Sequence, residues 1–228
     1  VEFIHMAEES GLIIELGEWV LQQALRTLAG WRNETDGADD IFMCVNLSSK
    51  QFARTDLDKI VVRILERCGL PPSSLKLEIT ESSIMGNPES SLRILNRLRK
   101  AGVRFSIDDF GTGYSSLSQL QQLPVDTLKV DRTFISRMRT DPENKEIVKA
   151  IIALGHSLDL NVIAEGVEDQ DQLCSLLNLS CNSVQGFYFH EPMSAAKAKN
   201  LLKQRTNKTA EQTREKLERA RRNCAPDD

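Results

Sequence analysis

Two adjacent aspartates follow an apolar segment in the middle of the chain. The segment from Val103 to Ile107 leads into Asp108 and Asp109, and the sequence continues Phe-Gly-Thr-Gly. Neighbouring carboxylates repel each other unless a positive charge holds them, and hard divalent cations prefer oxygen ligands. Asp108 and Asp109 are therefore candidate metal ligands. A turn built from Asp and Gly is the simpler alternative, and this motif alone leaves both interpretations open.

The same pattern recurs along the chain, because other short β-rich segments also end in a polar or charged residue. Segments with helical periodicity separate them, which predicts an α/β fold with a parallel sheet. In a (β/α) barrel the active site is built at the carboxyl ends of the strands. The residues that we expect to converge on one mouth are Asn46, Glu78, Asp108, Asp109, Lys129, Glu165 and Gln185.

Each of the charged residues Glu78, Glu81 and Lys129 allows two interpretations. Glu78 shares a strand face with Lys76 and Thr80, and because a buried unpaired carboxylate is costly, a metal or cation partner is predicted for it. Glu81 falls in the loop that follows, where it either bonds to backbone or acts in catalysis. Lys129, on the same face as Asp131, is either a salt-bridge partner or a group that holds a water or phosphate oxygen.

Composition narrows the class of protein. A chain of 228 residues that is 40% hydrophobic can bury a substantial core, and a net charge of −4 argues against duplex nucleic acid as a partner. Five scattered cysteines without a CxxC pair, together with the absence of a signal peptide, favour free thiols and a cytoplasmic location. The longest apolar stretch, Ile147 to Leu154, is interrupted by Lys149, so no membrane contact is predicted for this segment.

Domain organisation follows from the helical and charge patterns. A helix is predicted from about Leu16 to Leu28, with Trp19 in the core. Residues 1–203 are predicted to form one domain, and residues 204–228 form a charged tail whose i, i+4 ion pairs indicate a solvated helix without chemistry.

The order and spacing of six motifs resemble the EAL-domain cyclic di-GMP phosphodiesterases. The resemblance covers roughly Glu2 to Met193. The motifs that carry it are Val-Asn-Leu-Ser around Asn46, Leu-Glu-Ile-Thr-Glu-Ser around Glu78 and Glu81, Asp108-Asp109-Phe-Gly-Thr-Gly-Tyr-Ser-Ser-Leu, Leu-Lys-Val-Asp-Arg around Lys129, Ala-Glu-Gly-Val-Glu around Glu165, and Gln185-Gly186-Phe187.

This resemblance implies a modified TIM barrel that hydrolyses cyclic di-GMP to linear pGpG with two Mg²⁺ or Mn²⁺ ions. It implies that Asn46, Glu78 and Asp108 hold one metal and that Asp108 and Asp109 face the second. Glu165 would act on the metal-held water, either as a ligand or as a base. Lys129 would position that water, and Glu81 would steady the loop after Asp109. The predicted substrate-binding residues at the mouth are Gln185, Asp131 and Gly186.

One departure from the family pattern affects the expected activity. The family begins with two strands that this sequence lacks, and the second carries the Glu-Ala-Leu signature with a further metal ligand, so the sequence predicts an N-terminally truncated barrel of about six of the eight strands. One hypothesis is that the sequence is the carboxyl-terminal part of an active phosphodiesterase, whose upstream residues were removed by a gene prediction, a frameshift or a cloning boundary. The other is an inactive or impaired remnant that binds nucleotide or protein. A different metal-dependent barrel enzyme is a weaker third interpretation.

The resemblance also implies partners beyond cyclic di-GMP. A homodimer is expected, although missing strands would affect it. A sensor, a diguanylate cyclase domain or a membrane segment could precede Val1, so the cytoplasmic location describes this domain rather than its parent protein.

Overall fold

A computed structural model describes residues 2–35, 37–85, 88–113 and 117–204 of the chain. The predicted helical tail lies outside these residues, apart from Gln204. The strands are β1 (Met43–Leu47), β2 (Leu75–Thr80), β3 (Arg104–Phe110), β4 (Thr127–Val130), β5 (Asn161–Glu165) and β6 (Ser183–Gln185). The helices are α1 (Glu2–Ser10), α2 (Ile13–Glu34), α3 (Ser49–Phe52), α4 (Leu57–Cys68), α5 (Glu81–Met85), α6 (Pro88–Ala101), α7 (Leu117–Leu120), α8 (Arg132–Arg137), α9 (Pro142–Ser157), α10 (Gln170–Asn178) and α11 (Ala195–Gln204).

The strands form one six-stranded sheet in sequence order, from β1 to β6. β1 pairs with β2 and β2 with β3 in parallel, as do β4 with β5 and β5 with β6. Helical segments connect successive strands, as parallel pairing requires. The predicted α/β architecture with six parallel strands is confirmed. The chain divides into two compact units, and the boundary falls within β3 between Asp108 and Asp109.

The first unit contains α1 to α7 with β1, β2 and the first part of β3. Both faces of β2 are buried, with only Thr80 partly exposed, and Leu77 and Phe105 are fully buried. α4 ends at Cys68 and is capped by Gly69, whose φ of +65° suits a residue without a Cβ. The apolar residues of α4 recur every three or four positions, which places them on one buried face. They are Leu57, Ile60, Val61, Ile64 and Leu65.

The second unit contains β4 to β6 with α8 to α11. Every residue of β4 is buried. α9 begins after Asp141, whose carboxylate accepts the Glu143 N–H at 3.0 Å, and Pro142 occupies its first turn. Near its end, Gly155 lies directly against Val162 of β5. Asp141 and Pro142 thus define the start of α9, and the contact of Gly155 holds its other end close to β5.

Several predicted details are wrong or need new limits. α2 runs from Ile13 to Glu34, well beyond the predicted ends, and Trp19 on it is 58% exposed rather than in the core. A helical face defined by spacing alone does not show which face meets the sheet.

Cys44, Cys68 and Cys181 are free, whereas Cys174 is disulfide-bonded, so the prediction of free thiols throughout is wrong. None of the described helices combines the length and apolar character needed to cross a bilayer.

We expect Gly155→Ala to destabilise the fold. A Cβ at this position would lie 2.3 Å from Val162 Cγ2, and Val162 is fully buried. Overpacking of this kind costs roughly 1–3 kcal/mol, and the better helix propensity of alanine offsets about 1 kcal/mol of it. Urea unfolding should show a net loss of up to about 2 kcal/mol in the free energy of unfolding.

Gly30→Ala in α2 is the matched control. The nearest atom to a Cβ there is Glu34 Oε1 at 3.9 Å, so alanine fits. It should raise the free energy of unfolding by about 0.5–1 kcal/mol. Equal effects of the two substitutions would contradict the close packing of α9 on β5.

Candidate functional site

Polar side chains line one face of the first unit towards the carboxyl ends of its strands. In register, Asn46 of β1 lies beside Glu78 of β2, and Glu78 lies beside Ser106 of β3. Side chains at paired positions of parallel strands project from the same face. Asp108 follows two residues after Ser106 and pairs with Thr80, so it shares that face. The predicted grouping of Asn46, Glu78 and Asp108 therefore has a structural basis within this unit.

Asp108 and Asp109 together with Glu165 form a carboxylate cluster. One oxygen from each side chain lies within 4.8 Å of the others. Consecutive strand residues normally point to opposite faces. Asp109 departs from extended geometry with a φ of +53°, which is uncommon for a residue with a Cβ. This local turn at the end of β3 explains how two successive carboxylates approach the same point.

Lys129 and Glu165 form a close ion pair inside the second unit. The ammonium Nζ lies 2.7 Å from Glu165 Oε1, and the side chains are 5% and 18% exposed. β4 and β5 place them, since Lys129 pairs in register with Ile163, two residues before Glu165. The salt-bridge interpretation of Lys129 is confirmed, and it coexists with the predicted position among acids. Glu165 therefore pairs with a cation and also belongs to the carboxylate cluster.

Asp131 caps the helix that follows β4. Its carboxylate accepts the Thr133 N–H at 2.8 Å and also the Thr133 hydroxyl, as an N-cap residue of α8 does. Burial alone would raise the pKa of Asp131. The hydrogen bonds from Thr133, assisted by one with Asp109 and by the Arg132 charge, outweigh burial and hold this pKa below its usual value. The predicted contact between Asp131 and substrate stays a prediction.

Glu81 is the first residue of α5 rather than a loop residue, and it is 4% exposed. Its carboxyl group lies against Gly113, where a Cβ would come within 2.8 Å of Glu81 Cδ and Oε1. Gly113 belongs to the glycine-rich loop after β3. This contact fits the role of steadying that loop, whereas a direct catalytic role for Glu81 stays a prediction.

Gln185 and Gly186 lie at the end of β6. Gln185 pairs in register with Glu165, and its side chain is exposed. At Gly186 a Cβ would lie 2.1 Å from the carbonyl oxygen of Val167, so only glycine allows this approach of the two backbones. The structure gives Gly186 a packing reason, while substrate binding by either residue stays a prediction.

Two buried polar residues on this face were missed by sequence reasoning. Lys76, two residues before Glu78, is 5% exposed, and its ammonium lies 4.9 Å from the centre of the Phe42 ring. Burial lowers the pKa of Lys76, and the charge of Arg104 lowers it further, although Cys44, Asp126 and Glu78 oppose the shift. The alternation of β2 already placed Lys76 and Glu78 on one face, but the partners on β1 and β3 could not be known.

Ser106 is the other missed residue. It is 1% exposed, and its hydroxyl oxygen has no hydrogen-bond partner among the described residues. A buried hydroxyl without a partner is costly. Ser106 is the register neighbour of Glu78 and shares its face with Asp108. The signal in the sequence was a serine within an apolar strand segment, two residues before the first aspartate.

The donor set of the carboxylate cluster suits a hard divalent cation. Oxygen ligands dominate Mg²⁺ and Mn²⁺ sites, and clustered carboxylates gain most from an added positive charge. The orphaned Ser106 hydroxyl on the same face as Glu78 and Asp108 is consistent with a hydrated polar site there. The residues present therefore fit a divalent metal ion.

Comparison with known proteins places the chain in a family. The model of the EAL domain matches residues 1–192, and the chain belongs to the EAL domain family. MucR of Pseudomonas aeruginosa, named a bifunctional diguanylate cyclase/cyclic di-GMP phosphodiesterase, is 47% identical over 194 residues, which cover 85% of this chain and 28% of that protein. The resemblance inferred from six motifs is thereby confirmed.

Solved structures agree with this assignment. The PaMucR phosphodiesterase in complex with c-di-GMP superposes with a TM-score of 0.84 at 47% identity, covering 86% of this chain and 79% of that one. A manganese and cyclic di-GMP complex of BlrP1 from Klebsiella pneumoniae gives a TM-score of 0.68 at 26% identity, covering 76% and 43%. The chain spans about a quarter of the length of the curated relatives that it matches.

We expect Lys129→Met to destabilise the protein in the absence of metal. Lys129 offsets the charge of Glu165, and removing one partner of a buried ion pair costs roughly 3–5 kcal/mol. Thermal or urea unfolding in EDTA should show a loss near the lower end of this range. Adding Glu165→Gln to the variant should recover much of that loss, because it removes the uncompensated carboxylate.

Lys149→Met provides the control. Its ammonium pairs with Glu146 at 3.3 Å, but both side chains are more than half exposed. Exposed pairs contribute little, so the change should stay within about 0.5 kcal/mol. If Lys129→Met were as mild as Lys149→Met, the stabilising role of the buried pair would be refuted.

Proposed function

We propose that this chain is the catalytic domain of a bacterial signalling phosphodiesterase that hydrolyses cyclic di-GMP to linear pGpG. The observation that carries the proposal is the cluster of Asp108, Asp109 and Glu165, with Lys129 held against Glu165, in a chain of the EAL family. The relatives named as phosphodiesterases and the c-di-GMP complex of PaMucR support the choice of substrate.

Two divalent ions, Mg²⁺ or Mn²⁺, are the proposed cofactors, and the manganese complex of BlrP1 supports this choice. Asn46, Glu78 and Asp108 would hold one ion, and Asp108 and Asp109 would contact the second. Bound divalent ions lower the pKa of water and offset charge on the attacking and leaving oxygens of a phosphodiester. Two divalent ions need several negatively charged ligands, and the acidic residues named above would supply them.

The chain's own residues perform the remaining tasks. Glu165 accepts the proton of the attacking water or holds that water, while Lys129, bonded to Glu165 at 2.7 Å, keeps the carboxylate in one orientation. The water oxygen forms a bond to phosphorus as the bond from phosphorus to one ribose oxygen breaks. That ribose oxygen takes up a proton from solvent, and the ring opens to linear pGpG. Glu81 supports the loop at Gly113, and Gln185, Asp131 and Gly186 are the proposed contacts of the nucleotide.

The alternative is a domain that binds cyclic di-GMP or a protein partner without hydrolysis. Its basis is that residues 1–228 contain no Glu-Ala-Leu motif, which the resemblance makes the source of a further metal ligand. The homodimer and the fused sensor or diguanylate cyclase domain also remain proposals for the whole protein; the bifunctional name of MucR supports the latter.

Turnover of cyclic di-GMP by the purified chain with Mn²⁺ is the test, with pGpG followed by chromatography. Asp108→Asn should lower the rate at least about 100-fold, because it removes a charge from the site where the ions would bind. Asp159→Asn is the control: Asp159 lies in a turn with a φ of +58°, which asparagine tolerates, and the rate should not change.

The outcomes separate the two functions. A rate that falls in Asp108→Asn and not in Asp159→Asn supports hydrolysis by this site. Binding of cyclic di-GMP without pGpG would favour the non-hydrolytic alternative for this chain. If a chain that unfolds cooperatively neither binds nor hydrolyses cyclic di-GMP, both the hydrolytic proposal and nucleotide binding without hydrolysis are overturned.

A further inference from the structure

A cavity in the first unit lies apart from the carboxylate cluster. It has a volume of about 540 Å³ and lies beside α6, where that helix meets the loop before α4. Three cationic side chains of α6 line it, Arg93, Arg97 and Lys100. This volume lies within the range of small-molecule sites.

The three cations form one stripe on α6. They recur at spacings of four and three residues, so they share one face of the helix. With a rise of 1.5 Å per residue, Arg93 and Lys100 lie about 10 Å apart along the axis. The stripe therefore presents positive charge over a length that a single small anion would not span.

Arg97 is fixed in place at the centre of the stripe. Its Nη2 donates to the carbonyl oxygen of Thr55 at 3.3 Å, and its Nε lies 3.4 Å from Asp58 Oδ2. Arg93 and Lys100 have no ion pair within 4 Å in the described part of the chain. Two of the three cations that line the cavity therefore have no described acid within 4 Å, in a protein whose net charge is −4.

The remaining lining adds groups that could orient a ligand. Asn96 offers a hydrogen-bond donor and an acceptor, and Ile94, only 2% exposed, forms an apolar floor. Arginine forks pair with phosphate oxygens through two parallel hydrogen bonds. A compact polyanion with several phosphate groups matches these cations better than a single carboxylate would.

We propose that the cavity beside α6 binds a small molecule carrying two or more phosphate charges. This site is separate from the proposed phosphodiesterase site, because it contains none of the acids that would hold metal. Binding therefore needs no divalent ion and does not depend on the proposed function.

Isothermal titration of the full chain with inorganic tripolyphosphate tests this site. The titration is done in EDTA and in about 0.1 M KCl, where the Debye length is about 10 Å, so weak surface attraction is screened. EDTA removes metal, so the carboxylate cluster stays negative and repels the probe. Wild-type chain should bind one tripolyphosphate, and Arg93→Gln with Lys100→Gln should weaken binding at least about tenfold.

Lys59→Gln with Arg63→Gln is the matched control. Both residues are exposed on α4 and do not line the cavity, and the pair removes the same two charges. It should leave the affinity within about twofold. Circular dichroism of each variant establishes that the fold is intact.

Three results would overturn the proposal. They are no binding by the wild-type chain, an equal loss in the control and cavity variants, and tighter binding of a short polyglutamate peptide than of tripolyphosphate. The last result would identify an acidic protein segment as the ligand instead. Failure of cyclic di-GMP turnover would leave this titration unaffected, so the two proposals fail separately.

Discussion

Electrostatic repulsion among clustered carboxylates is the constraint on which the site depends. Asp108, Asp109 and Glu165 bring oxygens within 4.8 Å of one another, and like charges at such distances oppose folding unless cations offset them. Lys129 supplies one positive charge at 2.7 Å from Glu165. A divalent ion bound by the three carboxylates would reduce their mutual repulsion, and this is the physical basis of the proposed metal site.

Parallel strands explain why these residues meet. Each strand of a parallel sheet ends on the same side, so residues far apart in sequence reach a common edge. Register then fixes which side chains share a face, as it does for Asn46, Glu78 and Ser106. Buried strands and the helices that cover them hold this arrangement, since β2 and β4 have almost no exposed residues. The site is therefore a consequence of strand order and register rather than of local motifs alone.

The sequence allowed the strands and the acids at their ends to be predicted, because both follow from short-range patterns. The predicted strand that carries Glu78 is β2, and Asp108, Glu165 and Lys129 lie at or near strand ends. Features set by partners across the sheet could not be predicted. Ser106 became notable only once its register with Glu78 was known. The exposure of Trp19 likewise depends on contacts between elements. The capping role of Asp131, by contrast, is local, because its partner Thr133 lies two residues on.

Binding of Mn²⁺ to the chain, followed by the loss of the free-ion electron paramagnetic resonance signal, tests the central claim most directly. The account predicts saturable binding by the wild-type chain and much weaker binding by Asp109→Asn, because one carboxylate of the cluster is lost. Wild-type chain that leaves the Mn²⁺ signal unchanged, or an Asp109→Asn variant that binds Mn²⁺ equally well, would contradict it.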